Sequence, residues 1–222
     1  MKSLIKNTAR DALLYFLLCL ATFLMLRMIV EYYPLNDHTG FLKFKQDYIS
    51  NKVWRTCFYI HVFISLFVLM AGFVQFSPSI LKRQPRLHRL VGRFYAGNIL
   101  FVNFPVAMVM AIYANGGLPG KTAFFILDCL WFFFTLKAVI DIQKGNILSH
   151  KKYMIRSYAL TLSAISLRTW KIILTNTTHI DIPTIYIMDA WLGFVPNLLL
   201  AELLIRRKTL SWLSFKPDIV GN

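Results

Sequence analysis

Six long apolar blocks are the feature that most limits how this chain can fold. A helix needs about 20 predominantly apolar residues to cross a bilayer. Blocks of roughly that length occupy residues 12–33, 53–76, 94–114, 122–143, 154–174 and 185–205. With 57% hydrophobic residues, the chain is also too apolar for an ordinary soluble domain. The sequence therefore predicts an all-α polytopic helix bundle of six transmembrane helices, forming a single integral membrane domain over residues 1–222.

The distribution of positive charge predicts the orientation of this bundle. Lys and Arg accumulate in short cytoplasmic loops of membrane proteins. Most of the 25 here lie at the N-terminus and in alternate connections: Lys2, Lys6, Arg10; Lys82, Arg83, Arg86, Arg89, Arg93; Lys144, Lys151, Lys152, Arg156; Arg206, Arg207, Lys208, Lys216. Both termini are therefore expected to be cytoplasmic, with residues 211–222 at the inner surface.

The net charge of +15 is explained by this topology and by attraction to anionic lipid head groups. The expected partner is thus the lipid bilayer, and a nucleic-acid partner is not needed. We expect a multi-pass protein of the cell (plasma) membrane, of the bacterial inner-membrane type. There is no Gly-rich phosphate loop, H-E-x-x-H motif or nucleophile elbow, so soluble-enzyme readings find no support. Whether the protein is an enzyme stays open.

Three short features predict interruptions of the helices. Pro105 and Pro196 fall inside the third and sixth blocks, where a proline should kink the helix or free a carbonyl. The stretch "NGGLPGK", residues 115–121, predicts a turn because Gly accepts positive φ and Pro does not continue a helix.

Ionisable residues near the outer ends of the blocks form a first candidate site, because such groups are costly within a membrane. The residues are His61, Asp128, Arg168 and Asp189, together with Gln75 on the polar stripe that His61 begins. One interpretation is an ion-pair network in which Arg168 is neutralised by Asp128 and Asp189. The other is a proton path or a pocket for a polar ligand.

His88 and His150 form a second candidate site at the inner end. Each follows a helix-start signal and opens a block, and the two blocks run in the same direction. His150 precedes Arg168 by 18 residues, or five turns of about 3.6 residues, so both point the same way. Two imidazoles at one depth on different helices could ligate a haem iron from both sides. No other metal site is indicated.

Three nearby cations fit the same hypothesis. The side chains of Arg89, Arg93 and Arg156 stand where they could bind the two haem propionates, and Gly92 would let a flat macrocycle or another backbone come close. The alternative is structural. In that case Arg89 and Arg93 contact lipid phosphate, and the two histidines are interfacial hydrogen-bonding groups.

Two segments resemble a family of predicted bacterial membrane proteins, domain-of-unknown-function 2306. They are "HVFISLFVLMAGFVQFSPSILKRQPRLHRLVGRFY" and "SHKKYMIRSYALTLSAISLR", and the resembling region covers about residues 55–205. The residues that match as a set are His61, Gln75, His88, Arg89, Gly92, Arg93, His150, Met154, Arg156 and Arg168. The resemblance implies a multi-helix membrane protein and supplies no activity.

The segment "HRLVG" is also similar to segments of ascorbate-reducible transmembrane b-type cytochromes. Those proteins bind two haems with four histidines on a four-helix core. The similarity implies that His88 and His150 form the inner pair, whereas the fourth block offers Asp128 where the outer pair needs a histidine. It leaves a redox protein with one inner-leaflet haem b, accepting electrons from a quinol or a partner protein, or a relative that has lost haem altogether. The alternative is a non-redox protein (a small transporter, proton-coupled channel or lipid-binding scaffold) built around the outer polar cluster.

Overall fold

The structure, a computed structural model, describes residues 2–207, with side chains from Ala12 onward except Leu14. The segment 211–222, expected at the inner surface, lies outside this range. The helices are α1 (Lys2–Val30), α2 (Gln46–Ile49), α3 (Lys52–Gln75), α4 (Pro78–Arg83), α5 (Pro85–Asn98), α6 (Phe104–Ile112), α7 (Gly117–Gln143), α8 (Ile147–Thr161), α9 (Ser163–Thr177), α10 (Ile182–Leu192) and α11 (Val195–Arg206). A 3₁₀ turn covers Gly40–Phe44 and a π-helix covers Ile99–Asn103. No β-strand occurs between residues 2 and 207.

The described helices run alternately up and down as a bundle. The end of α3 meets the beginning of α5, where Gln75 contacts His88. At the opposite end, Lys45 contacts Tyr113 and Asn115, which connect α6 to α7. We call these two ends of the bundle the His88 end and the Lys45 end. The helices α5 and α8 both begin at the His88 end, because α7 runs the full length between them.

Four helical passes are long and apolar enough to cross a membrane: Lys52–Gln75, Pro85–Ile112, Gly117–Gln143 and Ile182–Arg206. They correspond to the predicted blocks 53–76, 94–114, 122–143 and 185–205. The pass that begins at Pro85 starts nine residues before its block, because its first turns are charged and an apolar count omits them. Block 12–33 corresponds to a shorter apolar helix, Tyr15–Val30, and block 154–174 is divided between α8 and α9.

Local sequence signals explain where the helices begin. The Asn51 side chain accepts hydrogen bonds from the backbone N–H groups of Val53 and Trp54, which caps α3. Asp181 caps α10 in the same way by accepting from the Thr184 N–H at 3.0 Å. Pro85 opens α5, where its missing N–H removes no helical hydrogen bond.

Both prolines inside the blocks interrupt their helices, as predicted. A proline clashes with the carbonyl four residues earlier. For Pro105 that residue is Phe101, which lies in the π-helix Ile99–Asn103. For Pro196 it is Leu192, the last residue of α10. The break between α8 and α9 at Leu162 follows Thr161, whose hydroxyl bonds the carbonyl four residues back and so favours a bend.

The turn predicted over residues 115–121 is shorter in the structure. Gly116 and Gly117 have φ of +83° and +61°, which is the left-handed region that favours glycine. The helix α7 nevertheless begins at Gly117, so that Pro119 lies in its first turn. Proline is well tolerated there, because the first N–H groups of a helix have no partner within it.

The loop between α1 and α3 packs as a cap on the Lys45 end. Leu42 is fully buried and packs with Tyr32, Trp54 and Phe58. The Lys45 ammonium is also buried, donates to the Tyr113 carbonyl and lies over the ring of Tyr48. Burial and the nearby Lys121 lower the pKa of Lys45 to about 8.

The perimeter of the bundle is apolar, as expected for contact with lipid. Large hydrophobic side chains remain exposed there, including Phe101 at 79%, Leu118 at 74% and Leu199 at 66%. The interior of the bundle holds a cluster of buried hydrophobic side chains, in which Val68, Tyr95 and Ile99 are fully buried. A soluble monomer rarely exposes apolar residues on this scale, so the bilayer is the surroundings that this surface fits.

Candidate functional site

The structure brings His88 and His150 together at the His88 end. Each residue lies in the first turns of its helix, α5 or α8, and the two rings are close enough to interact electrostatically. Both side chains are partly buried. The two helices therefore present two imidazoles at the same end of the bundle.

A buried contact further along the same helices sets this register. The Tyr95 hydroxyl bonds the Ser157 hydroxyl at 2.8 Å, and both side chains are fully buried. Tyr95 follows His88 by seven residues and Ser157 follows His150 by seven. Two helical turns, about 10 Å, therefore separate the contact from each histidine. Because the helices run in the same direction, a contact between these two positions brings the histidines level.

The same contact belongs to a cluster of buried hydroxyl groups. Tyr95 also bonds Thr161 at 2.9 Å, and Ser157 bonds Thr135 on α7 at 2.7 Å. Buried polar groups that satisfy one another in this way specify one packing arrangement. Tyr95 and Thr135 were missed at the sequence level because a single hydroxyl in an apolar block has no distinguishing pattern.

One nitrogen of the His150 ring is engaged, and the other makes no hydrogen bond to a described residue. Its Nδ1 lies 2.9 Å from the Ala138 carbonyl oxygen on α7, which acts as acceptor for an Nδ1–H. This contact favours the tautomer in which Nε2 carries a lone pair. Histidine ligands of metals usually have this arrangement, in which a backbone carbonyl orients the ring and raises its basicity.

The His88 ring has a buried nitrogen without a partner. Nδ1 is inaccessible to solvent and makes no hydrogen bond to any described residue. A buried polar atom that is left unsatisfied costs about 1–3 kcal/mol. The ring also lies beside the Val74 backbone carbonyl, and the His88 carbonyl accepts a hydrogen bond from Gln75 Nε2 at 2.9 Å.

The position of Gln75 corrects the predicted outer cluster. The polar stripe predicts that Gln75 belongs with His61, but Gln75 lies 14 residues further along α3, about 21 Å away. The polar stripe that contains both residues has helical spacing, but it extends along α3, so its two ends lie at different depths. Gly92 faces Gln75, since a Cβ on Gly92 would lie 3.2 Å from Gln75 Oε1. In this structure, Gly92 makes room for Gln75 rather than for a cofactor.

The three arginines near the histidines differ in whether a carboxylate already neutralises them. Arg89 and Arg93 are exposed, and neither has a carboxylate within 4 Å among the described residues. Arg156 instead forms a two-contact ion pair with Glu202 on α11 and lies 5.1 Å from the centre of the Tyr153 ring. The prediction that Arg156 binds a propionate therefore conflicts with its pairing. The sequence signal for this ion pair is Glu202, the single acidic residue in the run "LLLAELLIR", which the sequence analysis did not single out.

Removing one member of this ion pair should destabilise the protein more than removing both. We expect Arg156→Leu to lower the free energy of unfolding by about 2 kcal/mol, because Glu202 loses charge-assisted hydrogen bonds. The double variant Arg156→Leu/Glu202→Leu should lose less than the sum of the single losses. Thermal or denaturant unfolding of the detergent-solubilised protein measures these losses. Arg83→Leu is the control, because Arg83 is exposed and forms no ion pair with a described residue. Strictly additive losses would exclude the coupling.

The residues predicted at the outer end form a different arrangement from the expected ion-pair network. His61 interacts with Asn103 and lies close to Arg168. Arg168 Nη1 donates to the Ala164 carbonyl on its own helix, and no carboxylate of a described residue lies within 4 Å of Arg168. Pairing of Arg168 with Asp128 or Asp189 is therefore a wrong prediction. A helical repeat gives the direction of a side chain but not the rotation of the neighbouring helix.

A pair of asparagines, Asn98 at the end of α5 and Asn103 at the end of the π-helix, organises the polar groups around His61. Asn103 is fully buried, donates to Asn98 and accepts from the Ser65 hydroxyl at 3.0 Å. The wider turn brings residues five apart onto one side of the helix, and such segments are frequent at functional sites. The Nδ1 atom of His61 is buried and has no hydrogen-bond partner among the described residues.

Asp128 and Asp189 are both buried, on α7 and α10. Neither is within 4 Å of a described Lys, Arg or His nitrogen. No group of three or more His, Cys, Asp or Glu side chains in the described part of the chain is arranged to hold a metal ion.

Long apolar helices, a lipid-compatible perimeter and buried polar side chains define an integral membrane protein of the helix-bundle class. The family model described as "Predicted membrane protein (DUF2306)" matches residues 58–205, which is most of the chain. The chain therefore belongs to the DUF2306 family of predicted membrane proteins. No curated protein and no solved structure matches it.

Proposed function

We propose that the protein binds one haem b at the His88 end, with His88 and His150 as axial ligands, and acts in electron transfer. The matched register of α5 and α8 carries this proposal. The Tyr95–Ser157 contact lies two turns from each histidine, so both imidazoles reach one depth. Coordination from two sides requires such a level pair.

The hydrogen bonding of His150 fits ligation, because its Nδ1 is engaged with the Ala138 carbonyl and its Nε2 makes no hydrogen bond to a described residue. The His88 ring lies beside the Val74 carbonyl, and its buried Nδ1 has no partner among the described residues. Arg89 and Arg93 are four residues apart on α5 and form no ion pair with a described carboxylate, so they are the residues that would bind the propionates. Arg156 would keep its pairing with Glu202. When bound, haem would supply a one-electron couple, and a quinol or a partner protein is the electron donor that we propose.

The similarity of "HRLVG" to b-type cytochromes supports the same site and limits it to one haem. A second haem at the Lys45 end would need histidines on α3 and α7. The helix α3 offers His61, but α7 offers Asp128 at the corresponding depth. A carboxylate in place of the second imidazole does not complete a pair of histidine ligands.

Titration with haemin tests this proposal. Protein purified from haem-deficient cells should bind one equivalent of haemin per chain and develop a low-spin absorption spectrum. Two equivalents bound with histidine ligation would contradict the single site. Binding without a low-spin spectrum would contradict ligation from both sides.

A second candidate function is non-redox and uses the polar cluster around His61. Its support is the buried Nδ1 of His61 beside Asn103, Ser65 and Arg168 in the interior of the bundle. A cluster of this kind suits a proton-coupled channel, a small transporter or a lipid-binding scaffold. Colourless protein from haem-replete cells that does not bind haemin would favour this candidate.

We also propose six membrane spans with both termini cytoplasmic, in the cell membrane of a bacterium. The support is the alternation of helix directions together with the Lys and Arg residues gathered at the His88 end. Reporter fusions after residue 115 and after residue 145 should then report opposite sides of the membrane. A fusion at the C-terminus should match the one after residue 145. The same side for residues 115 and 145 would contradict the topology.

A further inference from the structure

Asp189 is a membrane-embedded carboxyl group that the haem proposal does not use. It lies on α10, four residues before the break between α10 and α11. The residue is 1% exposed, and neither Oδ1 nor Oδ2 has a hydrogen-bond partner among the described residues. Polar groups at the break itself are better satisfied, since the Asn197 amide donates to the carbonyls of Gly193 and Ala159.

No charged group on the neighbouring helices neutralises Asp189 by direct contact. The helices packed against α10 are α7, α9 and α11. The ionisable groups considered on them are Lys121 and Asp128 of α7, Arg168 and Lys171 of α9, and Glu202 and Arg206 of α11. Of these, Lys171 interacts electrostatically with Asp189 at a distance beyond 4 Å. Its Nζ bonds the Tyr186 hydroxyl at 3.1 Å instead.

An isolated carboxylate in this position is strongly disfavoured. The effective penalty for burying an unpaired ion is several kcal/mol, and a group in this situation takes up a proton instead. Within membrane spans, such carboxyls are often steps in proton movement. The Tyr186 hydroxyl and the Lys171 ammonium lie on the side of Asp189 nearer the Lys45 end, where a proton would enter and leave.

We propose that Asp189 is a proton-binding site inside the bundle, with a carboxyl group that is neutral in its resting state and exchanges its proton toward the Lys45 end. The proposal rests on the burial of the carboxyl group and on its lack of partners. It is independent of haem binding at the opposite end of the bundle.

Carbodiimide labelling tests the proposal on the full chain. The apolar reagent N,N′-dicyclohexylcarbodiimide reacts with protonated carboxyls in apolar surroundings. The carboxyl oxygen bonds to the carbodiimide carbon and the proton moves to nitrogen. The acyl group then migrates to the other nitrogen as a stable N-acylurea, so no group leaves and no redox partner is needed. Peptide mass spectrometry locates the adduct.

We expect the apolar reagent to label Asp189 at mildly acidic pH and to label it progressively less as the pH rises. Asp189→Asn should remove this adduct and, being nearly isosteric, should leave the protein folded. A water-soluble carbodiimide should show the reverse selectivity, labelling Asp181, an exposed helix cap, and not Asp189.

Three results would overturn the proposal. The first is no label on Asp189 from the apolar reagent at any pH in folded protein. The second is equal labelling of Asp189 by the water-soluble reagent, because the group would then be accessible. The third is protection by sodium ions at fixed pH, because the site would then bind a metal cation rather than a proton.

Discussion

Replacing either His88 or His150 with alanine should abolish the low-spin haem spectrum or convert it to a high-spin one. Each substitution removes one of the two axial ligands, and a five-coordinate iron is typically high-spin. His150→Ala also removes the ring that Ala138 orients. The absorption spectra of the oxidised and reduced purified variants measure the outcome.

His61→Ala is the matched control, because it removes a buried histidine from the same bundle. His61 lies about 21 Å along α3 from Gln75, which contacts His88, so its loss should leave the spectrum unchanged. If His61→Ala alone destroys the spectrum, the haem lies toward the Lys45 end. If none of the three variants changes it, these histidines are not ligands.

Gly72→Ala should be among the most destabilising single substitutions in the bundle. A Cβ at this position would lie 2.0 Å from the Tyr158 hydroxyl and 2.2 Å from the ring carbon that bears it. The Tyr158 ring is buried against Phe76, and its hydroxyl donates to the Leu69 carbonyl at 2.7 Å. Overpacking together with the lost hydrogen bond should cost about 3 kcal/mol of unfolding free energy.

Gly97→Ala is the control for this prediction, because a Cβ on Gly97 meets nothing within 4 Å. Alanine there should be neutral or stabilise the helix by about 0.5–1 kcal/mol. Adding Tyr158→Leu to Gly72→Ala should recover part of the loss by making room for the new methyl group. Equal melting temperatures for the two glycine variants would show that α3 and α8 are not packed this closely.

The helices were predictable because a membrane-spanning helix must be long and apolar, and both properties are visible in the sequence. The start of the α5–α6 pass was not predictable in this way, because a hydropathy count omits the charged turns from Pro85 to Arg93. Pro105 and Pro196 predicted interruptions correctly, since proline acts through its own ring on the backbone. The break at Leu162 was not predicted, because a threonine such as Thr161 bonds the carbonyl four residues back without always bending its helix.

The candidate site was less predictable, because side-chain partners depend on how the helices rotate against one another. The repeat that aligns His150 with Arg168 assumes one continuous helix, whereas the chain breaks at Leu162, between α8 and α9. It carries no information on whether Arg168 reaches Asp128 or Asp189, and it reaches neither. The pairing of Arg156 with Glu202, two residues 46 apart in sequence, joins α8 to α11. Contacts between helices distant in sequence need the packed structure.

The absorption spectrum of the wild-type protein, purified from haem-replete cells, tests the central claim most directly. We predict a Soret band that shifts on reduction with dithionite, together with the sharp α band of a low-spin haem with two histidine ligands. The matched register of His88 and His150 is the physical reason for this expectation. A protein without a Soret band before and after reduction would contradict the account.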